Sequence, residues 1–133
     1  MRQHGSFTMA WNGPILVVTY KDTWNEEAVI ALHVAARAAW ADCPLPQWAM
    51  LTDASQWDGG TPEVLNRWWN FFEDAAHHGM TTVTDILPTS FHALLVKGLA
   101  DRASSMVDYH RSANLVEAYS WLQSEGYAAA ALP

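Results

Sequence analysis

Aspartate, serine and threonine side chains cluster where the predicted strands of this chain end and the following helices begin. Asp53 follows one apolar run of the sequence, Asp85 lies near the end of another, and hydroxyl groups come shortly after each. In parallel sheets, ligands bind beyond the carboxyl ends of the strands. The sequence therefore predicts a rim formed by Asp53, Ser55, Asp58, Thr61, Asp85 and Ser90, with Asp22 and Thr89 beside it.

Two interpretations of this rim are open. Thr61 and Ser90 lie at predicted helix N-termini, where backbone N–H groups and the helix dipole favour an anion or a phosphate group. The same residue types are also the ordinary caps and turn residues of α/β proteins. The rim is thus either a ligand or phosphorylation site, or a set of caps that binds nothing.

Two groupings within the rim could support catalysis. Asp53 and Asp85 on neighbouring strands could share a proton or a metal ion, as in a small hydrolase or isomerase. Ser55, Asp53 and His92 contain the groups of a nucleophilic triad, but no Gly-x-Ser-x-Gly elbow surrounds the serine. The sequence also lacks a His-x-x-x-His pair and any nucleotide-binding glycine motif. We therefore predict no catalytic residue, no metal and no cofactor.

The charge balance restricts the classes of partner. Fourteen acidic residues face seven basic ones, which gives a formal net charge of −7, and the arginines are scattered. Nucleic acids and anionic membrane surfaces attract clustered basic residues, so we expect neither as a partner. Cys43 is the only cysteine, and the apolar run 14–20 is too short to span a membrane. These features predict a cytoplasmic protein without membrane insertion.

Alternating strand and helix signals occupy the first half of the chain. Ser6–Trp11 alternates polar and apolar residues, Asn12-Gly13 is a hairpin signal, and a central strand follows at 15–20. Asn25 caps a helix that Pro44 and Pro46 stop. A third strand covers 48–53, Gly59-Gly60 marks a loop, and Thr61-Pro62 begins a helix that ends at 77–78.

The second half continues the same alternation. We predict a strand at 80–86, one helix from Thr89 or Ser90 to Ala103, a strand at 105–111 and a last helix capped by Asn114. Residues 127–133 are expected to form a frayed tail. The order ββαβαβαβα predicts one α/β domain over 1–133, with a mostly parallel five-stranded sheet entered by an antiparallel hairpin. Four apolar residues of the third helix are expected to point inward, namely Phe91, Leu94, Leu95 and Leu99.

The second helix is unusually rich in aromatic residues. Trp68 and Phe72 belong to its predicted core stripe, whereas Trp69 and Phe71 flank that stripe on either side. Because a helix buries one broad stripe, at least one flanking residue is expected near the edge. Trp69 and Phe71 are thus candidates for an interface with a partner or a second copy, and the alternative is a wide, fully covered helix face.

Several segments together resemble a known domain class. They are Trp24-Asn25-Glu26-Glu27, Leu51-Thr52-Asp53, Trp57 with Gly60-Thr61-Pro62-Glu63, and Glu117-Ala118-Tyr119-Ser120-Trp121-Leu122. In this order and spacing, from about Gly5 to Gly126, the chain resembles STAS-type domains. More narrowly, it resembles the bacterial SpoIIAA-like, or STAS-like, single-domain proteins related to anti-sigma factor antagonists.

The resemblance implies a (β/α) superhelix and a non-enzymatic regulatory module that binds an unknown protein partner or itself as a homodimer. In antagonists, a serine at the start of the second helix is phosphorylated. The loop before that helix carries an Asp-Ser-Ser-Gly motif in antagonists. Here the loop at 56–62 lacks the two serines, and Thr61 is the nearest hydroxyl. Lipid-binding CRAL-TRIO domains have a similar fold, so the alternative is a carrier of a small apolar or lipid-like molecule.

Overall fold

Strands and helices alternate along the chain in the computed structural model, which describes residues 2–43 and 45–132. The strands form one sheet in the order β1-β2-β3-β4-β5, in which β1 is antiparallel to β2 and the other pairs are parallel. This confirms the predicted fold class. The elements are β1 (Ser6–Asn12), β2 (Ile15–Trp24), α1 (Glu26–Ala41), β3 (Trp48–Gly60), α2 (Pro62–His77), β4 (Met80–Ile86), α3 (Ser90–Leu95), α4 (Lys97–Ala103), β5 (Asp108–Arg111) and α5 (Leu115–Ser124).

The helices cover the two faces of the sheet unequally. Helices α1, α2 and α4 pack on one face, where the larger core contains Leu16, Met50 and Phe72. Helix α5 packs on the other face over a smaller core with Leu51 and Ile86. Right-handed crossovers between consecutive parallel strands explain why the connecting helices share one face.

The hairpin turn lies one residue later than predicted. Asn12 is paired with Ile15 in the sheet, so Gly13 and Pro14 are the two turn residues. Gly13 has a φ of +60°, and glycine at the first central position is typical of a type II′ turn, which fits the twist of a hairpin. The Asn12 side chain is therefore free for a tertiary contact.

Strands β2 and β3 are both longer than predicted. Instead of ending at Tyr20 and Asp53, they remain paired in parallel as far as Trp24 and Gly60, across two register shifts. Asp22 lies at the second shift and has a φ of +68°. Bulges of this kind increase local twist and interrupt the regular alternation. The predicted loop at 59–60 is therefore wrong, because each extension supplies the hydrogen-bonding partner of the other.

Helices α1 and α2 are joined at their surfaces by Asp74. Asn25 caps α1 as predicted, accepting a hydrogen bond from the backbone N–H of Ala28, whereas Pro44 lies outside the described residues. From α2, Asp74 accepts a 2.6 Å hydrogen bond from Nε2 of His33 on α1. Nε of Arg37 lies 3.5 Å from the same carboxylate. These groups link the two helices electrostatically.

Helix α2 is buried on a wider face than predicted, and this corrects the proposed interface. Phe71 is 0 % exposed and packs against the Trp40 and His33 rings of α1. Trp69 is 8 % exposed, and the guanidinium of Arg102 on α4 lies 3.9 Å from its ring centroid. Because α2 lies between α1 and α4 as well as on the sheet, both flanking aromatics are core residues, and neither offers a free surface.

The predicted third helix is two short helices that meet at Val96. Helix α3 has no buried residue, and α4 buries only Ala103. Phe91 and Leu94, expected to point inward, are 65 % and 68 % exposed, and Leu95 is exposed as well. Beyond the break, Leu99 of α4 packs against the core, while the apolar residues of α3 do not.

The end of the chain is docked rather than frayed. Asn114 caps α5 as predicted, by accepting from the Glu117 N–H, while β5 is shorter than predicted. Tyr127 and Ala129 pack against the core under α5. Asn12 exchanges two hydrogen bonds with the backbone of Ala131, at 2.7 and 2.9 Å. The tail thus covers the sheet beside α5, and Pro133 lies outside the described residues.

We expect Asn12→Ala to lower the free energy of unfolding by about 1–3 kcal/mol, because it removes both bonds to Ala131 and a third to the Tyr119 hydroxyl. Urea unfolding measures the change. Asn66→Ala, on the exposed side of α2, is the matched control and should cause no loss. Equal effects of the two variants would contradict a stabilising role for the tail.

The ion cluster at Asp74 predicts a pH dependence. Burial disfavours the carboxylate, but the hydrogen bond from His33 and the charge of Arg37 outweigh it, so the pKa of Asp74 is lowered. Its contribution to stability is therefore present above the unfolded pKa of about 3.9, and it is lost as the pH falls through the lower folded pKa. Asp74→Asn should destabilise the fold at pH of about 5 and much less at about 2.

Urea unfolding across that pH range checks this expectation. Asp101→Asn is the control, because Asp101 belongs to an exposed pair with Lys97 at 2.8 Å, and such pairs contribute little. A destabilisation by Asp74→Asn that does not change with pH would show that the carboxylate charge is not the cause.

Candidate functional site

The predicted rim is divided between the two faces of the sheet. Thr52 of β3 is in register with Asp85 of β4, and the next residue, Asp53, is in register with Ile86. Since successive side chains of a strand point to opposite faces, Asp85 faces the large core while Asp53 faces α5. The two aspartates cannot share a proton or a metal ion, so the proposed catalytic pair is wrong.

Asp53 and Ser55 line an open groove beside the start of α5, together with Ala113 and Asn114. The Ser55 hydroxyl and its backbone N–H both donate to Oδ1 of Asp53, at 2.6 and 3.1 Å. His92 does not join them: its Nδ1 contacts the Thr89 hydroxyl at 2.7 Å. The serine, the aspartate and the histidine therefore do not form a triad, and the two polar groups satisfy each other.

The other rim residues are dispersed around the ends of the elements. Asp58 is exposed in the extended part of β3, and its carbonyl oxygen lies 3.3 Å from Nε2 of His92. Thr61 precedes α2 as predicted, but its hydroxyl caps no backbone N–H. The pKa of the Glu63 carboxyl is lowered, first by a hydrogen bond from its own backbone N–H and second by one from the Thr61 side chain. Ser90 is exposed at the start of the short α3.

An apolar cavity of about 60 Å³ lies between the large-core face of the sheet and helices α2 and α4. The floor comes from four consecutive strands, and the roof comes from both helices and the α3–α4 junction. Its walls are mainly aromatic and aliphatic. The lining residues are Tyr20, Trp24, Thr52, Ala54, Trp57, Val64, Leu65, Trp68, Asp85, Leu87, Val96, Leu99, Ala100, Ala103 and Tyr109.

One end of this cavity is closed by a charged cluster. Asp85 accepts hydrogen bonds from Nε and Nη2 of Arg111 at 3.0 and 3.2 Å, and from the Tyr109 hydroxyl at 2.5 Å. Asp85 and Tyr109 line the cavity, whereas Arg111 lies behind them. The carboxylate is therefore neutralised from outside the cavity, and the cluster as a whole has no net charge.

The environment keeps the tyrosine hydroxyls neutral. Burial raises the pKa of Tyr20, whose oxygen accepts a 3.0 Å hydrogen bond from Nε1 of Trp68. Burial, followed by the negative charge of Asp85, raises the pKa of Tyr109. Burial opposes the charge on Arg111, but its hydrogen bonds to Asp85 outweigh this and raise the Arg111 pKa. At neutral pH the cavity walls thus carry only the compensated ion pair.

Sequence reasoning identified Asp85 but missed its partners. Tyr20 lies on β2, whereas Tyr109 and Arg111 lie on β5, and only the register of the sheet brings them near Asp85 on β4. The alternation of Tyr109 with Arg111 was the one local signal that the two share a face. Within the described part of the chain, no group of three or more potential metal ligands comes together. Across the same residues, no helix is long and apolar enough to span a bilayer.

We expect Arg111→Met to lower the free energy of unfolding by about 1–3 kcal/mol, because Asp85 would keep only the Tyr109 hydroxyl. Adding Asp85→Asn should restore part of the loss by removing the unpaired charge. Arg37→Met is the control, since Arg37 is largely exposed and 3.5 Å from Asp74. Chemical denaturation compares the variants, and a double variant that loses as much as the two single changes added together would argue against the pair.

Comparison with known proteins shows the fold. No protein-family model matches the chain, and no curated protein matches its sequence. An uncharacterized DUF3478-family protein from Shewanella loihica PV-4, which has a SpoIIAA-like fold, is similar with a TM-score of 0.68 at 11% identity, over 92% of this chain and 96% of that one. An anti-sigma factor antagonist from Mycobacterium paratuberculosis is similar with a TM-score of 0.62 at 18% identity, over 90% of this chain and 95% of the other. The chain thus has the SpoIIAA-like fold of STAS-type domains.

Proposed function

We propose that this chain is a non-enzymatic regulatory module of the cytoplasm that binds a protein partner through α3. The observation that carries the proposal is the exposure of Phe91, Leu94 and Leu95 on a helix that buries none of its residues. Large apolar side chains clustered on a surface favour a binding site. The similarity in fold to an anti-sigma factor antagonist supports the same class of function.

The net charge of the chain favours one kind of partner for the α3 surface over the others. With a formal net charge of −7, two copies of the chain repel each other, and so do the chain and an anionic membrane. A different protein with an apolar groove and a basic rim is complementary to both features. We therefore propose a basic protein as the partner, in preference to a homodimer.

The double variant Phe91→Ser/Leu94→Ser should weaken partner binding at least about tenfold while leaving the fold intact, because both side chains are exposed. Affinity capture from the source organism provides candidates, and calorimetry with each purified candidate measures the dissociation constant. Val116→Ser is the matched control, because Val116 is 73 % exposed on α5.

The proposal also requires that binding weakens as salt is added. A purified partner that binds the double variant and the original chain equally would reject the α3 surface. A concentration-dependent dimer that the double variant abolishes, seen by sedimentation, would replace the basic protein by a second copy.

A second candidate function is the binding of a small apolar molecule, and the cavity under α2 and α4 is the observation that favours it. Its walls combine many apolar side chains with a few polar groups, which is the usual composition of a ligand pocket. The α3–α4 segment forms part of its roof, so one segment belongs to both candidate functions.

A further inference from the structure

We propose that the cavity between the sheet and helices α2 and α4 binds a small uncharged molecule with an apolar body and one hydroxyl or carbonyl group. This proposal rests on the second candidate function and adds the chemical class of the ligand. Two features of the cavity support it. The Asp85–Arg111 pair disfavours a charged ligand, and the hydroxyls of Thr52 and Tyr20 favour a ligand with a polar group.

The ion pair excludes a charged ligand. Asp85 borders the cavity, but both of its oxygens already accept hydrogen bonds from Arg111, and Tyr109 donates a further one. A cation would gain little from Asp85, because Arg111 already balances the charge of that carboxylate. An anion would be repelled by Asp85, which lies between the cavity and the guanidinium of Arg111. Either charge would lose its hydration without gaining a counter-ion in an apolar site, which is unfavourable.

The Thr52 hydroxyl selects a polar group on the ligand. Thr52 is 3 % exposed and lines the cavity, and its hydroxyl has no side-chain hydrogen bond within residues 2–43 and 45–132. In the same part of the chain, every side-chain polar atom that is closed off from solvent has a partner. The Thr52 hydroxyl is therefore open to the cavity, where it can donate to or accept from a bound molecule.

Tyr20 provides a second polar contact. Its oxygen accepts a hydrogen bond from Nε1 of Trp68 at 3.0 Å, and no side chain in the described ranges accepts its own proton. Tyr20 is 6 % exposed on β2, the strand next to that of Thr52. Since Tyr20 and Thr52 both line the cavity, each can form a hydrogen bond with a polar group of a bound molecule.

The walls of the cavity suit a small ring, provided that its roof moves outward. An apolar cavity that binds benzene has roughly 150 Å³, so the cavity of about 60 Å³ must widen to admit a ring. Trp24, Trp57 and Trp68 supply flat apolar surfaces on which an aromatic ring can pack. An aromatic alcohol combines these properties.

Entry is explained by the weak packing of the roof. Val96, Leu99 and Ala100 line the cavity, yet α3 and α4 together bury only one residue, Ala103. Segments with few buried contacts open at low free energy. The α3–α4 segment is thus the part of the roof through which a ligand enters.

Four probes of similar shape test the proposal, namely benzyl alcohol, benzoate, benzylamine and toluene at neutral pH. Titrations followed by the indole N–H signals of the cavity tryptophans in NMR spectra give the dissociation constants. We expect benzyl alcohol to bind at least about tenfold more tightly than benzoate and benzylamine. We expect toluene to bind more weakly than benzyl alcohol, because it leaves the hydroxyl groups without partners.

Two variants and a control connect binding to the cavity. Thr52→Val should weaken benzyl alcohol binding about three- to tenfold and leave toluene binding unchanged. Ala100→Leu should fill the cavity and weaken both neutral probes. Ala38→Leu adds the same atoms at an exposed position of α1 and should change neither.

The outcomes separate the ligand class from the carrier function. Binding of none of the probes to the original chain would reject the carrier function together with the ligand class. Binding of benzoate or benzylamine as tight as that of benzyl alcohol would leave the carrier function standing and overturn the uncharged ligand. If Thr52→Val weakens the binding of toluene and of benzyl alcohol equally, the Thr52 hydroxyl is not the group that binds the polar end of the ligand.

Discussion

The alternation of side chains along β3 is the constraint on which the organisation of this protein depends. Thr52 and Asp53 are neighbours in the chain, but the pleat of the strand sends them to opposite faces of the sheet. Register then adds Asp85 to the side of Thr52 and Ile86 to the side of Asp53. The polar residues that are neighbours in the sequence are thereby divided between an apolar cavity and an open groove. The chemistry that needed both aspartates together is lost.

The aromatic excess of the chain serves mainly to bury one helix on three sides. Helix α2 packs on the sheet through Phe72, on α1 through Phe71, and on α4 through Trp69 beneath the Arg102 guanidinium. Such a wide apolar face is stable only where neighbours cover all of it. The tryptophans therefore contribute mainly to the core and the cavity wall, and three exposed apolar side chains lie together on α3.

The α3–α4 segment links the two candidate functions physically. Its outer side presents Phe91 and Leu94 to solvent, and its inner side closes the cavity with Leu99 and Ala100. Few buried contacts hold it in place, so its opening is governed by a small local free energy. A ligand that fills the cavity would stabilise the closed segment and thereby the surface it presents, which couples the two sites by linkage.

The sequence alone determined the alternation of strands and helices and the starts of α1, α2 and α5, because the caps at Asn25 and Asn114 and the proline after Thr61 act over three or four residues. Among the site residues, it identified Asp85 but not its partners. Tertiary structure decided everything that needs a neighbour distant in the chain: the extension of β3 to Gly60, the docking of the tail, and the burial of α2. Strand pairing, burial and cavities exist only between segments, so no local pattern contains them.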